Sequence, residues 1–204
     1  MAEKAQVFEK ILKDYLAQVA KIEARNHLVA ALGIGADDEA FEVPFFHRNY
    51  TITATSIMDR DGVAANHAVA VILCQYLLLC PQNPEHREAL VTYKDFRDAA
   101  PYVIGFRNTA ERPIAHSFSG NAALLEERCR RLGGERFNTE VACDMAFRFQ
   151  ALPRVPLFLL FNDADEEFSA GCTLLFQQDA QAYLDMECIA MVGSALAAWL
   201  KKDT

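Results

Sequence analysis

Chemistry in this chain begins at Asn162-Asp163-Ala164-Asp165-Glu166-Glu167-Phe168. Asp163, Asp165, Glu166 and Glu167 supply four carboxylates within five residues. Oxygen-rich clusters hold hard divalent cations such as magnesium or calcium. Two carboxylates brought close can instead share a proton, with one pKa raised. The spacing does not fit a calcium loop, which needs a glycine at its sharp turn and a bidentate glutamate at a set offset. The competing reading is a solvated hairpin tip whose charges keep apolar strands from aggregating. In the metal reading Asp163, Asp165 and Glu166 hold a divalent cation, which would activate water or polarise an oxygen. Asp144 or His116 would assist.

Other chemistries have weaker support. The five histidines, His27, His47, His67, His86 and His116, show no ligand spacing on one helix face. A zinc site would need three or four ligands gathered from distant segments. His116 lies near two hydroxyls in His116-Ser117-Phe118-Ser119, but Ser119 reads as the cap of a helix starting near Asn121, and a triad is defined by geometry. No G-x-G-x-x-G or Walker loop occurs. Gly33-Ile34-Gly35 follows a helix, where a dinucleotide loop follows a strand. Phe147, Phe149, Phe158, Phe161 and Phe176 read as core, with the Phe147/Phe149 face as an alternative pocket wall.

The acidic stretch must be positioned by the segments flanking it. Leu157–Phe161 is too apolar to face water and reads as a strand buried on both faces. Pro156 confines itself to the strand start or an edge. Cys172–Phe176 is the expected antiparallel partner, and Phe147–Ala151 a preceding strand with a corner at Pro153. A site on such a hairpin would be held rigidly. Upstream, Val7 through Ile22 recur at three- and four-residue spacing, predicting one long helix over 3–31, stopped by Gly33. Phe41–Phe45 and Tyr50–Ala54 form a hairpin across His47-Arg48-Asn49. Asn66 caps a buried helix running to about Leu79, ended by Pro81 and Pro84. Residues 85–119 read as a loop-rich excursion, 121–132 as a helix, and Ala180–Leu184 and Glu187–Lys201 as helical. The last helix carries Ile189, Val192, Leu196, Trp199 and Leu200 inward. The expected fold is a single α+β domain over 1–204. Its antiparallel sheet is built from hairpins and packs on a long N-terminal helix, a buried central helix and a C-terminal helix. Any weak boundary falls near 81–92.

Charge and cysteine usage exclude some classes. The 204 residues carry a net charge of −8. Phosphate-backbone binding needs clustered Lys and Arg, and the longest basic run, Arg128-Cys129-Arg130-Arg131, reads as a solvated helix face. Neither nucleic acid nor membrane is an expected partner; a homo-oligomer is left open. The six cysteines form no C-x-x-C pair and sit among apolar neighbours, the pattern of a reduced cytoplasmic protein. No secretory signal opens the chain.

Four motifs carry a resemblance: Asp144-Met145-Ala146-Phe147, Leu152-Pro153-Arg154-Val155-Pro156-Leu157, Asp163-Ala164-Asp165-Glu166-Glu167-Phe168 and Tyr183-Leu184-Asp185-Met186-Glu187. Together they resemble DUF3786, a prokaryotic domain family of unknown function common in anaerobes. The resemblance covers the C-terminal third well and the middle loosely. It implies no activity. It implies that some members are joined to a four-cysteine iron–sulfur domain, a form from which this chain departs because it has no cysteine quartet.

The expectation is a cytoplasmic binding or accessory protein, recognising a small molecule or protein partner near the acidic turn, with no cofactor beyond a divalent cation. One alternative is a metal-dependent hydrolase or transferase using the acidic cluster; the other is an oligomerisation domain. No catalytic constellation is recognisable.

Overall fold

A computed structural model describes residues 2–83 and 87–202, with side chains from Val7 onward. Pro84 and His86 lie outside the described residues.

The predicted long N-terminal helix is two helices, α1 (Ala2–Val19) and α2 (Arg25–Leu32). Nothing in 20–24 breaks a helix by its own chemistry. The chain turns because Arg25 is held elsewhere: its guanidinium donates to the carbonyls of Asp37 at 2.7 Å and Ala40 at 3.3 Å and lies over the Phe41 ring. Gly33 ends α2 in the left-handed conformation, with φ 70° and its N–H on the Val29 carbonyl.

The smaller sheet follows as an antiparallel meander: β1 (Gly35–Ala36), β2 (Phe41–Phe45), β3 (Arg48–Ile52) and β4 (Ile57–Asp59). The predicted hairpin forms, with a tighter link than expected, Phe46-His47. Phe46 has φ 52°, costly for an aromatic residue. Its N–H donates to the Ala151 carbonyl at 2.9 Å, and its ring meets Phe149 and Trp199 edge-on. These contacts offset the strain.

The buried central helix α3 (His67–Leu78) starts as predicted, the Asn66 side chain accepting from the Val69 N–H at 3.0 Å. The excursion at 85–119 is more ordered than its sequence indicates. It contains β5 (Leu90–Thr92), a 3-10 turn at Tyr93–Asp95, and a helix made of α4 (Val103–Phe106), a π-helical stretch at Arg107–Glu111, and α5 (Arg112–Phe118). After α6 (Ala122–Arg131) and β6 (Glu135–Arg136) come β7 (Met145–Leu152), β8 (Val155–Asn162) and β9 (Gly171–Gln177). A 3-10 turn at Gln178–Ala182 stands where a helix was predicted, then α7 (Met186–Lys201) closes the chain.

The larger antiparallel sheet has the order β5-β9-β8-β7-β6. Pro156 is tolerated in central β8 because pairing with β9 starts one residue later, at Leu157↔Phe176. Phe147, Phe149, Leu157, Leu159, Phe161, Leu174 and Phe176 point to the main core, shared with α3 and α7. Ala146, Phe158, Leu160 and Leu175 point the other way, under Phe137 and Cys143. The strand β8 is therefore buried on both faces, as its run of apolar residues requires. Sheet and helix elements thus form the expected α+β architecture.

Candidate functional site

The acidic turn is the connection between β8 and β9, held by a hairpin whose register runs without a break from Leu157↔Phe176 to Asn162↔Gly171. Its aspartates face their own backbone. One oxygen of Asp165 accepts from the N–H groups of Glu167 at 2.8 Å and Phe168 at 2.7 Å. These bonds hold its carboxyl below the usual carboxylate range. Asp163 accepts from the N–H of Ala164 at 2.8 Å and from Gly120 at 2.6 Å, which ties the loop to the end of α5. Asp144 accepts from the Asp163 N–H at 2.7 Å. Glu166 and Glu167 are exposed.

The structure thus brings Asp144 and Asp163 together through one backbone bond. Among the described residues, no group of three or more His, Cys, Asp or Glu side chains is placed to hold a metal ion. His116 lies exposed in the last turn of α5. Ser119 ends α5; it does not cap α6, which is preceded by Asn121 without a side-chain cap bond. Phe147 and Phe149 are buried core, which removes them as a pocket wall.

A second feature lies one residue into β9 and was not visible in the sequence. Between the 3-10 turn, the π-helical stretch and β9 opens a cleft of about 310 Å³, lined by Thr92, Lys94, Phe106, Arg107, Glu111 and Cys172 among others. The π register is explicit: the Arg112 N–H donates to the carbonyl of Arg107, five residues back. Single π turns inside helices recur at functional sites. This one presents Arg107 and Glu111 to the same cleft.

Glu111 is half-buried. Its Oε1 accepts from the Leu174 N–H at 3.1 Å, and its Oε2 takes no hydrogen bond from the described residues. Burial raises its carboxyl above the usual range, opposed by the Leu174 N–H and the charge of Arg107. Neither Arg107 nor Lys94 makes a hydrogen bond or an ion pair among the described residues. Phe106 is stacked on Tyr93 with centroids 4.3 Å apart, and the Tyr93 hydroxyl donates to the Met186 carbonyl at 2.7 Å, so the apolar wall is rigid. Burial raises the Cys172 thiol well above its ordinary value, with a further push from Glu111. A neutral thiol there is a lining atom and a poor nucleophile.

Two other clefts have cations already engaged. At one, Arg25 is held by backbone carbonyls. At the other, Arg48 pairs with buried Asp59 at 3.0 Å.

The family comparison agrees with the motifs. The sequence profile of DUF3786, a domain of unknown function, matches residues 25–199. The chain belongs to DUF3786. The match spans everything from α2 to Trp199 and leaves α1 outside it. Both the acidic connection and the cleft lie within the DUF3786 domain. No curated protein and no solved structure matches the chain. All six cysteines are free of disulfides. No helix of the described residues is long and apolar enough to cross a membrane.

Proposed function

We propose that this DUF3786 chain is a cytoplasmic small-molecule-binding or accessory protein whose ligand sits in the cleft between the π-helical stretch and β9, at the end of the sheet that carries the acidic connection. One observation carries the reading: Arg107, Lys94 and Glu111 line one cleft, and neither cation makes a hydrogen bond or an ion pair among the described residues. Lys94 and Arg107 are solvent-exposed and Glu111 is half-buried, so a ligand entering the cleft meets charged groups that it can engage without breaking a hydrogen bond of either cation. The cleft volume suits a small polar molecule, at the low end of ligand sites.

The acidic connection has a supporting role in this proposal. Asp163 fixes the loop against α5, the helix that continues the π stretch. The remaining negative charge at that end disfavours polyanions by repulsion. The metal-dependent alternative has less support, since one oxygen each of Asp163 and Asp165 is already given to backbone N–H bonds and, among the described residues, no group of three such side chains gathers.

A thermal-shift and ligand-detected NMR screen against a library of small polar metabolites tests the reading. At least one compound is expected to stabilise the wild type and fail to stabilise Val103→Trp, in which an indole fills the cleft. Hits that persist unchanged in Val103→Trp, or a library without hits, would overturn it. The NMR spectrum of Val103→Trp checks that the variant is folded.

A further inference from the structure

Resting on the cleft as a ligand site, the geometry points to its ligand class: we infer that it takes a small carboxylate bearing an adjacent N–H or O–H donor, the chemistry of α-amino and α-hydroxy acids. The inference comes from matching each unpartnered group to its complement.

Arg107 and Lys94 present two cations. Their complement is an anion, and the guanidinium fork pairs with a planar carboxylate through two parallel bonds. Glu111 presents an acceptor. Its Oε1 is engaged by the Leu174 N–H, so Oε2 is left for a donor. A cation without a carboxylate would meet Arg107 and Lys94 with the wrong sign. A phosphate would meet Glu111 as a like charge and bring no donor for its Oε2. A bare carboxylate such as acetate would pair with the cations and make no use of Oε2 as an acceptor. A carboxylate with a neighbouring ammonium or hydroxyl satisfies all three.

Placement supports the same answer. Arg107 and Glu111 stand at the two ends of the π stretch, and Phe106, stacked on Tyr93, offers a flat apolar wall beside them. A cleft of about 310 Å³ suits a molecule of modest size. The chain carries a net charge of −8, so two cations lining one cleft oppose the sign of the whole molecule.

Titrations of the full chain, followed by amide NMR and calorimetry, test this with alanine, serine, lactate, acetate, methylamine and inorganic phosphate. Alanine, serine or lactate is expected to saturate with shifts at the amides of 105–111 and 172–174. Acetate, methylamine and phosphate are expected to bind roughly tenfold more weakly, the loss that one unmatched charged hydrogen bond produces. Arg107→Gln and Glu111→Gln should each weaken the bound acid by about tenfold or more, with amide shifts elsewhere unchanged. If phosphate, methylamine or acetate binds as tightly as the hydroxy and amino acids, the ligand class is overturned and the cleft stands. If none of the probes moves those amides while a library compound does, the class again falls alone. If no compound of any kind moves them, the cleft itself falls.

Discussion

At the scale of single residues, the contrast is between carboxylates that hold a surface loop and one whose ionised form is disfavoured by burial. Asp163, Asp165 and Asp144 stabilise a loop by accepting backbone N–H bonds. Replacing Asp163 by Ala should cost about 1–2 kcal/mol, because the two N–H groups it serves can turn to water. Asp163→Asn, which keeps the accepting oxygen, should cost less than half of that in a urea titration. Glu111 behaves in the opposite sense. Its folded-state carboxyl is raised, so the native state binds more protons than the unfolded state between the ordinary carboxylate pKa and the raised value. Stability therefore falls as pH rises through that window and stays lower above it. Glu111→Gln keeps an acceptor for the Leu174 N–H and cannot ionise. It should melt at a higher temperature than wild type at pH 8, and the gap should close below about pH 4, where both side chains are neutral. The same variant is expected to lose ligand, a pairing of gained stability with lost function that marks binding groups.

At the scale of elements, the cleft depends on how α7 carries the π stretch. Gly193 of α7 lies beneath Phe106, and a Cβ there would stand 2.6 Å from Cε2 of the ring and 3.3 Å from the Cβ of Ala110. The ring is buried and stacked, so it cannot swing away without disturbing Tyr93. Gly193→Ala should gain about 1 kcal/mol of helix propensity and lose more than that to overpacking, about 1–3 kcal/mol. Its signature is a lower melting temperature together with changed amide shifts across 103–111. An unchanged spectrum over those residues would mean that the π stretch does not depend on this contact. The hairpin of β7 and β8 behaves differently, because its register is kept from Met145↔Phe161 to Gln150↔Pro156, up to an irregularity before Leu152, and its strands are anchored on both faces. The acidic connection therefore has a fixed base, whatever its side chains do.

For the whole molecule, the family boundary and the fold meet at α1. DUF3786 begins at residue 25, yet Leu16 and Val19 of α1 are buried against the core, and Tyr15 accepts a hydrogen bond from Gln75 of α3 at 3.0 Å. The other end of α1 exposes Val7 at 52% and Phe8 at 43%, so the apolar spacing that predicts a helix there overstates how much of it is covered. Removal of residues 1–20 should leave the DUF3786 domain folded but destabilised by at least about 3 kcal/mol, the burial lost with Leu16 and Val19. Denaturant midpoints measure the loss, and light scattering should show self-association as the uncovered surface of α3 seeks a partner.

Local chemistry alone determined several elements. The apolar run of β8, its partner in β9, the Asn66 cap, the Gly33 stop and the inward stripe of α7 each act within a few residues, so each is readable from spacing and residue type. The acidic connection was readable for the same reason, as polar residues between two runs that cannot face water. The break between α1 and α2 was not, because Arg25 is held by carbonyls twelve and fifteen residues away. Nor was the cleft. Lys94, Arg107, Glu111 and Cys172 come from three separate segments, and the excursion that carries most of them has weak periodicity of its own. Their convergence depends on Phe106 packing over Gly193 and on Glu111 reaching the backbone of β9. Such contacts span tens of residues, and only the packed molecule decides which charges acquire partners and which are left facing a cavity.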